Sequence, residues 1–331
     1  KAFAGGAGDP KLAPKVPGVF VRGASNFQSW ISEEGGGEFP PEAGRYHLYI
    51  NYTCGWCHRV MTVRALKRLQ HVVSMSATAN RFDPAGRPGS DMYAGWAFDD
   101  ENPDPVANFK NTLAVYRSNN PEYPNKQLSV PILFDKKTMR VVSNDNMQLQ
   151  YIFNSGFNSL LRGADAALDL SPERHEEEMN RLNALIYPNI NDGVYRVGFA
   201  KTPELKAEMR ANVFRALDEL EAILQASRAS RPEGAEEFYL VPGCAVPTLA
   251  DIRAFPHLFR FDACYYTAFA CDTRTLAGSY PAIMAWLEQL YAKPEIQETC
   301  NLWLATQGYH QGEEAKAKAA FEAHKPSFVV R

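Results

Sequence analysis

The sequence predicts a thioredoxin-like α/β domain followed by an all-α domain, and three observations carry that expectation. Residues 45–160 read as strand, helix, strand, long excursion, hairpin and helix, the order of a small mixed sheet covered by helices. A Cys-Gly-Trp-Cys motif, Cys54 to Cys57, stands where the first strand gives way to the first helix. Beyond about residue 170 nearly every periodic segment repeats at helical spacing.

The elements follow in order. Residues 1–45 are rich in Gly and Pro and read as an extended arm laid over a domain. Residues 45–52 cluster aromatic and β-branched side chains, the mark of a strand. In residues 57–69 the apolar Val60, Val63, Leu66 and Leu69 recur every third position while Arg59, Arg64, Lys67 and Arg68 are basic, which predicts a helix with Cys54 near its N-terminus. Residues 72–77 predict a second strand. A polar excursion carrying Pro84, Pro88, Pro103, Pro105, Pro121 and Pro124 then runs to about residue 126, and a loop so long within a compact domain is usually functional. Residues 130–134 and 139–142 form a predicted hairpin, and a helix follows over 144–153. In the second half, residues 174–186, 203–225, 248–262 and 281–291 are the predicted helices, and Thr248 with Asp251 fits a capping-box variant. The implied organisation is an arm (1–45), a thioredoxin-like domain with a long insertion (46–160), a helical domain (170–310) and a tail (311–331).

Composition limits the partners. The 331 residues carry 35 Lys and Arg against 38 Asp and Glu, a formal charge of −3, so no basic field points to nucleic acid. No apolar run approaches the roughly 20 residues of a membrane-spanning helix. Six cysteines in a chain this long are too few for a disulfide scaffold, which favours a reducing compartment. The start at Lys1, followed by small residues and glycines, reads as either a truncated or a processed chain, and cytosol and an organelle such as the plastid both fit.

The motif with chemistry in it is Cys54-Gly55-Trp56-Cys57. A helix N-terminus stabilises an anion, so a cysteine there titrates below the ordinary value of about 8.5 and supplies the reactive thiolate. Cys54 to His58 also spells the attachment pattern of c-type haem, but the run continues as a regular amphipathic helix. A zinc site would need a second CxxC or a spaced His pair, which the other cysteines do not offer, and no metal is expected. Val130-Pro131 falls where a thioredoxin-like fold places a cis-proline. Asp145 and Asn146 open the following helix, where Asp145 can cap and the free amides can hold a carboxylate.

With these residues in place, the chain resembles the glutathionyl-hydroquinone reductases, the xi class of glutathione transferases. The likeness runs from about residue 20 to about residue 301. It rests on residues 39–49 (Phe-Pro-Pro-Glu-Ala-Gly-Arg-Tyr-His-Leu-Tyr), 95–98 (Gly-Trp-Ala-Phe), 130–138 (Val-Pro-Ile-Leu-Phe-Asp-Lys-Lys-Thr), 189–200 and 250–262. The resemblance implies a catalytic Cys54, hydroquinone-site tyrosines at Tyr195 and Tyr309, and glutathione contacts at Trp96, Val130, Pro131, Asp145 and Asn146. It also implies glutathione as co-substrate, a small aromatic or quinol conjugate as substrate, and a homodimer.

The chain departs from the family pattern in places. The usual Cys-Pro-Trp-Ala has become a motif with Gly55 and Cys57, Asp145-Asn146 stands for Glu-Ser, Gln127 replaces an Arg, and a His-Tyr-Tyr run appears as Gly308-Tyr309-His310. Three functions therefore stand side by side at this point. The first is a glutathione-dependent reductase working through a Cys54 mixed disulfide. The second is a glutaredoxin-like oxidoreductase using Cys54 and Cys57 together. The third is a non-enzymatic subunit of this fold docked in a larger assembly.

Overall fold

The computed structural model describes residues 17–21, 23–32, 37–83, 93–124 and 127–329. The start of the arm, residues 1–16, and the excursion's Pro84 and Pro88 lie outside the described residues. The chain divides into two compact units, one of Ser25–Leu168 and one of Asp169–Arg331 joined by the segment up to Ala24. Among the described residues no helix is long and apolar enough to cross a membrane.

In the Ser25–Leu168 unit, β1 (Tyr46–Ile50) leads through α1 (Gly55–Leu66) to β2 (Val73–Ala77). After α2 (Thr112–Arg117) come β3 (Ile132–Asp135), β4 (Arg140–Ser143), α3 (Asn146–Ser155) and the short α4 (Gly163–Ala167). The sheet order is β2-β1-β3-β4, with β1 parallel to β2 and antiparallel to β3, and β3 antiparallel to β4. This is the predicted thioredoxin-like arrangement. The sequence shows partial alternation in β1, yet every residue of the strand is buried, because it is an inner strand of the sheet. The arm extends the sheet on the other side: Ser29 N–H donates to the Val142 carbonyl at 3.0 Å and Asn144 N–H to that of Phe27 at 3.1 Å.

The basic positions of α1 do not form a solvated face. Arg59, Arg64 and Lys67 are buried, and two of them bind carbonyls, Arg64 Nε that of Val73 at 2.8 Å and Lys67 Nζ that of Leu168 at 2.6 Å. A buried cation needs such partners to offset its lost hydration. The helix also stops at Leu66, three residues before the apolar periodicity ends, with Arg68 in the left-handed region at φ 52°.

The excursion between β2 and β3 is organised by a buried carboxylate. Asp104 accepts from the Tyr49 hydroxyl at 2.8 Å and from the amides of Val106, Ala107 and Phe109 at 3.1, 2.8 and 2.9 Å. Residues 79–83 pair with 95–97, through Ala79 N–H to the Ala97 carbonyl at 2.9 Å and Asp83 N–H to that of Gly95 at 2.8 Å. Gly95 sits at φ 78°, and a Cβ there would lie 2.0 Å from Thr112 Oγ1, so both conformation and space demand glycine.

His47 supplies a pH-dependent element of this unit. Its ring nitrogens lie 2.8 Å from the hydroxyls of both Ser74 and Ser76, and burial pulls its pKa down to about 4. The folded protein binds a proton there less readily than the unfolded chain, so stability is fully present above about pH 6.5 and is lost as pH falls toward 4. The linkage amounts to about 3 kcal/mol. Thermal melts of the wild type between pH 7.5 and 4.5 should fall more steeply than those of His47→Gln, and equal slopes would remove His47 as the cause.

The second unit is helical. It comprises α5 (Glu176–Ile186), α6 (Gly193–Gly198), α7 (Pro203–Ala229), α8 (Leu249–Phe259), α9 (Leu276–Ser279), α10 (Pro281–Tyr291), α11 (Pro294–Gln297), α12 (Leu302–Tyr309) and α13 (Glu314–His324). π-helical turns at Tyr187–Asn191 and Phe261–Tyr266 lie between α5 and α6 and after α8. The apolar positions Leu205, Met209, Val213, Leu217, Leu220 and Leu224 recur along one face of α7, and all but the partly exposed Leu205 are in the core. The capping box forms, and Asp251 within it is fully buried. The charged stretch read as a tail is the helix α13, with Ala317, Ala320 and Phe321 on its buried side.

Candidate active site

Cys54 is the N-cap of α1. Its extended backbone (φ −80°, ψ 110°) places the sulfur at the open amides of the first turn, where Cys57 N–H donates to it at 3.3 Å. In the thiol form the sulfur can donate to the Val130 carbonyl, 3.6 Å away. The first turn holds no acidic residue, so nothing in it opposes a negative sulfur. Cys54 is partly exposed, whereas Cys57 is fully buried and its sulfur accepts the Asn51 amide at 3.5 Å. No disulfide joins any two of the six cysteines. Burial pushes the Cys264 thiol up to about 11 and those of Cys271 and Cys300 up to about 12, so these sulfurs stay protonated and unreactive at neutral pH.

The structure brings Cys54 together with the hairpin. The Val130-Pro131 bond is cis, as the sequence predicts, and Val130 supplies the carbonyl next to the sulfur. Asp145 is the N-cap of α3: one carboxylate oxygen accepts Gln148 N–H at 3.0 Å and the other accepts Gln28 Nε2 at 2.6 Å. Asn146, the first residue of that helix, turns its side chain into the protein. Its Nδ2 donates to the Trp56 carbonyl, and its Oδ1 accepts Gln150 Nε2 at 2.9 Å and Arg59 Nη1 at 3.4 Å. The Arg59 guanidinium lies 4.3 Å from the centroid of the Trp56 ring, a cation–π contact inside the first turn of α1. Asn146 thus ties the helix that begins at Cys54 to the helix that begins at Asp145. Trp96 belongs to the excursion, where its indole stacks on Phe82 at 4.3 Å and its N–H of the backbone donates to Thr112 Oγ1 at 3.1 Å.

Gln28 and Arg59 were not read as site residues. Nothing local in the sequence shows that an arm residue reaches Asp145, a separation of 117 positions, or that a helix arginine turns inward.

The two predicted tyrosines meet in the helical unit. Tyr195 of α6 and Tyr309 at the end of α12 have hydroxyls 2.5 Å apart. A third phenol, Tyr265 from the π-helical turn after α8, reaches Tyr309 at 3.2 Å. The rings of Phe269, Tyr195, Tyr265 and Tyr309 pack at centroid distances of 5.0 to 6.5 Å. Burial holds the Tyr265 and Tyr309 phenols well above the ordinary tyrosine value, so both remain proton donors throughout the neutral range. The sequence does not single out Tyr265, which follows closely on the run 250–262: it stands in a π-helical turn, and that turn is invisible at the level of a regular helical repeat.

Residues 203–289 match the family described as Glutathione S-transferase, C-terminal domain. The chain is 35% identical over 296 residues to glutathionyl-hydroquinone reductase PcpF of Sphingobium chlorophenolicum, covering 88% of this chain and 85% of that protein. It is 34% identical over 294 residues to glutathionyl-hydroquinone reductase YqjG of Escherichia coli, covering 86% and 82%. The structure of the Xi glutathione transferase ECM4 of Saccharomyces cerevisiae in complex with glutathione superposes with a TM-score of 0.80 at 27% identity, over 92% of this chain and 96% of that one. The chain belongs to the glutathionyl-hydroquinone reductase family, the xi class of glutathione transferases.

Proposed function

We propose that the protein is a glutathione-dependent reductase that removes glutathione from glutathionyl-hydroquinones. The observation that carries this reading is the partly exposed Cys54 sulfur capping α1, with the Cys57 amide directed at it. The likeness to the two glutathionyl-hydroquinone reductases and to a glutathione-bound xi transferase supports the reductase and neither the dithiol oxidoreductase nor the non-enzymatic subunit.

In the first step the Cys54 thiolate attacks the sulfur of the conjugate. The sulfur–aryl bond breaks and its electron pair passes to the ring carbon, which takes a proton from a phenol, with Tyr195 and Tyr309 assigned to that role. The hydroquinone leaves, and Cys54 holds glutathione as a mixed disulfide. In the second step the thiolate of a glutathione molecule attacks the glutathionyl sulfur, so that glutathione disulfide departs and the Cys54 thiolate returns. The conjugate's glutathionyl sulfur and one glutathione thiol end as one disulfide, the ring is reduced to the hydroquinone, and the proton of that thiol restores the phenol.

Glutathione is assigned to Trp96, the backbone of Val130 beside Pro131, the Asp145 carboxylate and Asn146. A carboxylate suits the ammonium of the γ-glutamyl group. Asn146 contributes through its backbone N–H, since its side-chain amide is committed to Trp56, Arg59 and Gln150. A homodimer goes with this reading.

The test is direct. Incubation with a glutathionyl-hydroquinone and no free glutathione should release hydroquinone and leave one glutathionyl group on the protein by intact mass; an unmodified protein would overturn the mechanism. Because the Cys57 sulfur is buried, Cys57→Ala should keep turnover within about threefold of wild type, a change of about 0.6 kcal/mol in the barrier. A loss of a hundredfold would restore the second thiol to the reaction.

A further inference from the structure

The aromatic cluster of the helical unit receives one more ring, from near the start of the chain. Gly18 stands at φ 83°, and its carbonyl accepts Lys201 N–H at 3.3 Å, which fixes the segment next to the turn between α6 and α7. A Cβ on Gly18 would meet Leu205 Cδ1 at 3.1 Å, so glycine gives both the turn and the close approach. Val19 is buried behind it. The next residue, Phe20, lies with its ring 6.2 Å from Tyr195 and 5.5 Å from Phe199. Phe199 is 53% exposed, an unusual place for a large apolar ring, and it packs on Phe269 at 5.3 Å. Phe20 and Phe199 are therefore apolar neighbours of a phenol whose hydroxyl meets that of Tyr309.

We propose that Phe20 is a specificity-determining contact for the aromatic half of the conjugate. Hydroxylated aromatic rings have two needs, polar partners for the hydroxyls and apolar area for the ring faces, and a cluster of phenols edged by phenylalanines meets both. The phenols of Tyr195 and Tyr309 supply the polar and proton-donating side of this cluster, and Phe20 packs against the face of the substrate ring. Preference follows for flat hydroxylated rings over aliphatic glutathione conjugates. The Gly18 carbonyl and the buried Val19 position this segment, so a residue of the arm contributes to the choice of substrate. This rests on the quinol-reductase reading given above.

Binding without turnover tests it. In the Cys54→Ser protein, hydroquinone itself is titrated and followed by saturation-transfer NMR and by calorimetry. Phe20→Ala and Phe20→Leu should weaken binding by about three- to tenfold, the range of one aromatic contact, while Phe20→Tyr and Phe20→Trp stay within about twofold. Phe20→Leu keeps the apolar volume, so it separates ring stacking from simple packing even if Phe20→Ala folds poorly. Binding by Phe20→Leu equal to that of the parent overturns the role of Phe20 alone. A Cys54→Ser parent that binds no hydroquinone overturns the quinol reading together with it.

Discussion

Replacing Cys54 with serine should lower kcat for a glutathionyl-hydroquinone by about a thousandfold or more, the scale on which removal of a covalent nucleophile acts. The Cys54 sulfur receives the Cys57 amide at 3.3 Å at the positive end of α1, and the first turn brings no carboxylate to oppose an anion. A serine oxygen at the same N-cap would accept the same amide, so the helix and the fold should persist. A hydroxyl, however, remains protonated at neutral pH and cannot form a mixed disulfide. Melting temperature within about 2 °C of wild type, together with lost turnover, is the expected pair of results, since a cap exchange of this kind costs under about 1 kcal/mol. Retained turnover would place the chemistry on another group.

The largest stability effect should come from Asp251→Ala. This carboxylate is fully buried in the capping box of α8. One oxygen accepts Leu240 N–H at 2.8 Å and Trp286 Nε1 at 3.0 Å, and the other accepts the amide and hydroxyl of Thr248 at 2.9 and 3.0 Å. Burial alone raises its pKa, and those four donors act against that rise. Removing the carboxylate leaves four buried donors without an acceptor and opens a void beside Trp286. The expected loss is about 4 kcal/mol, or roughly 10 °C in melting temperature. Asp251→Asn should also destabilise, because whichever way its amide turns, one N–H group meets donors where an acceptor is needed. A loss below about 1 kcal/mol for Asp251→Ala, followed by Trp286 fluorescence during unfolding, would show that these donors find other partners.

Several features of the molecule were legible in the residues themselves. The order of strands and helices followed from periodicity, since β1, β2, the β3–β4 hairpin and α3 lie within a few residues of the predicted segments. Local chemistry was equally readable. Cys54 as the N-cap of α1, Asp145 as that of α3 and the Thr248–Asp251 box each depend on neighbours a few positions away. Helix ends were placed less well: α1 stops short at Leu66, and the apolar run beyond α8 becomes a π-helical turn rather than more α-helix.

What the residues by themselves determined, then, was which sulfur caps a helix and which carboxylates cap, because such interactions are built between groups already close along the chain; the cis bond before Pro131 was legible only through its place in the predicted fold. Tertiary structure alone decided that Gln28 binds Asp145, that Arg59 and Asn146 join two helix N-termini, that Cys57 is sealed while Cys54 is not, and that Tyr265 and Phe20 join Tyr195 and Tyr309. Those contacts span tens to more than a hundred positions, and periodicity tells which face of a helix is apolar without telling which neighbour will cover it. Burial then changes the meaning of a residue type: Arg59, one basic position among several along α1 in the sequence, becomes an internal clamp once a ring and an amide surround it.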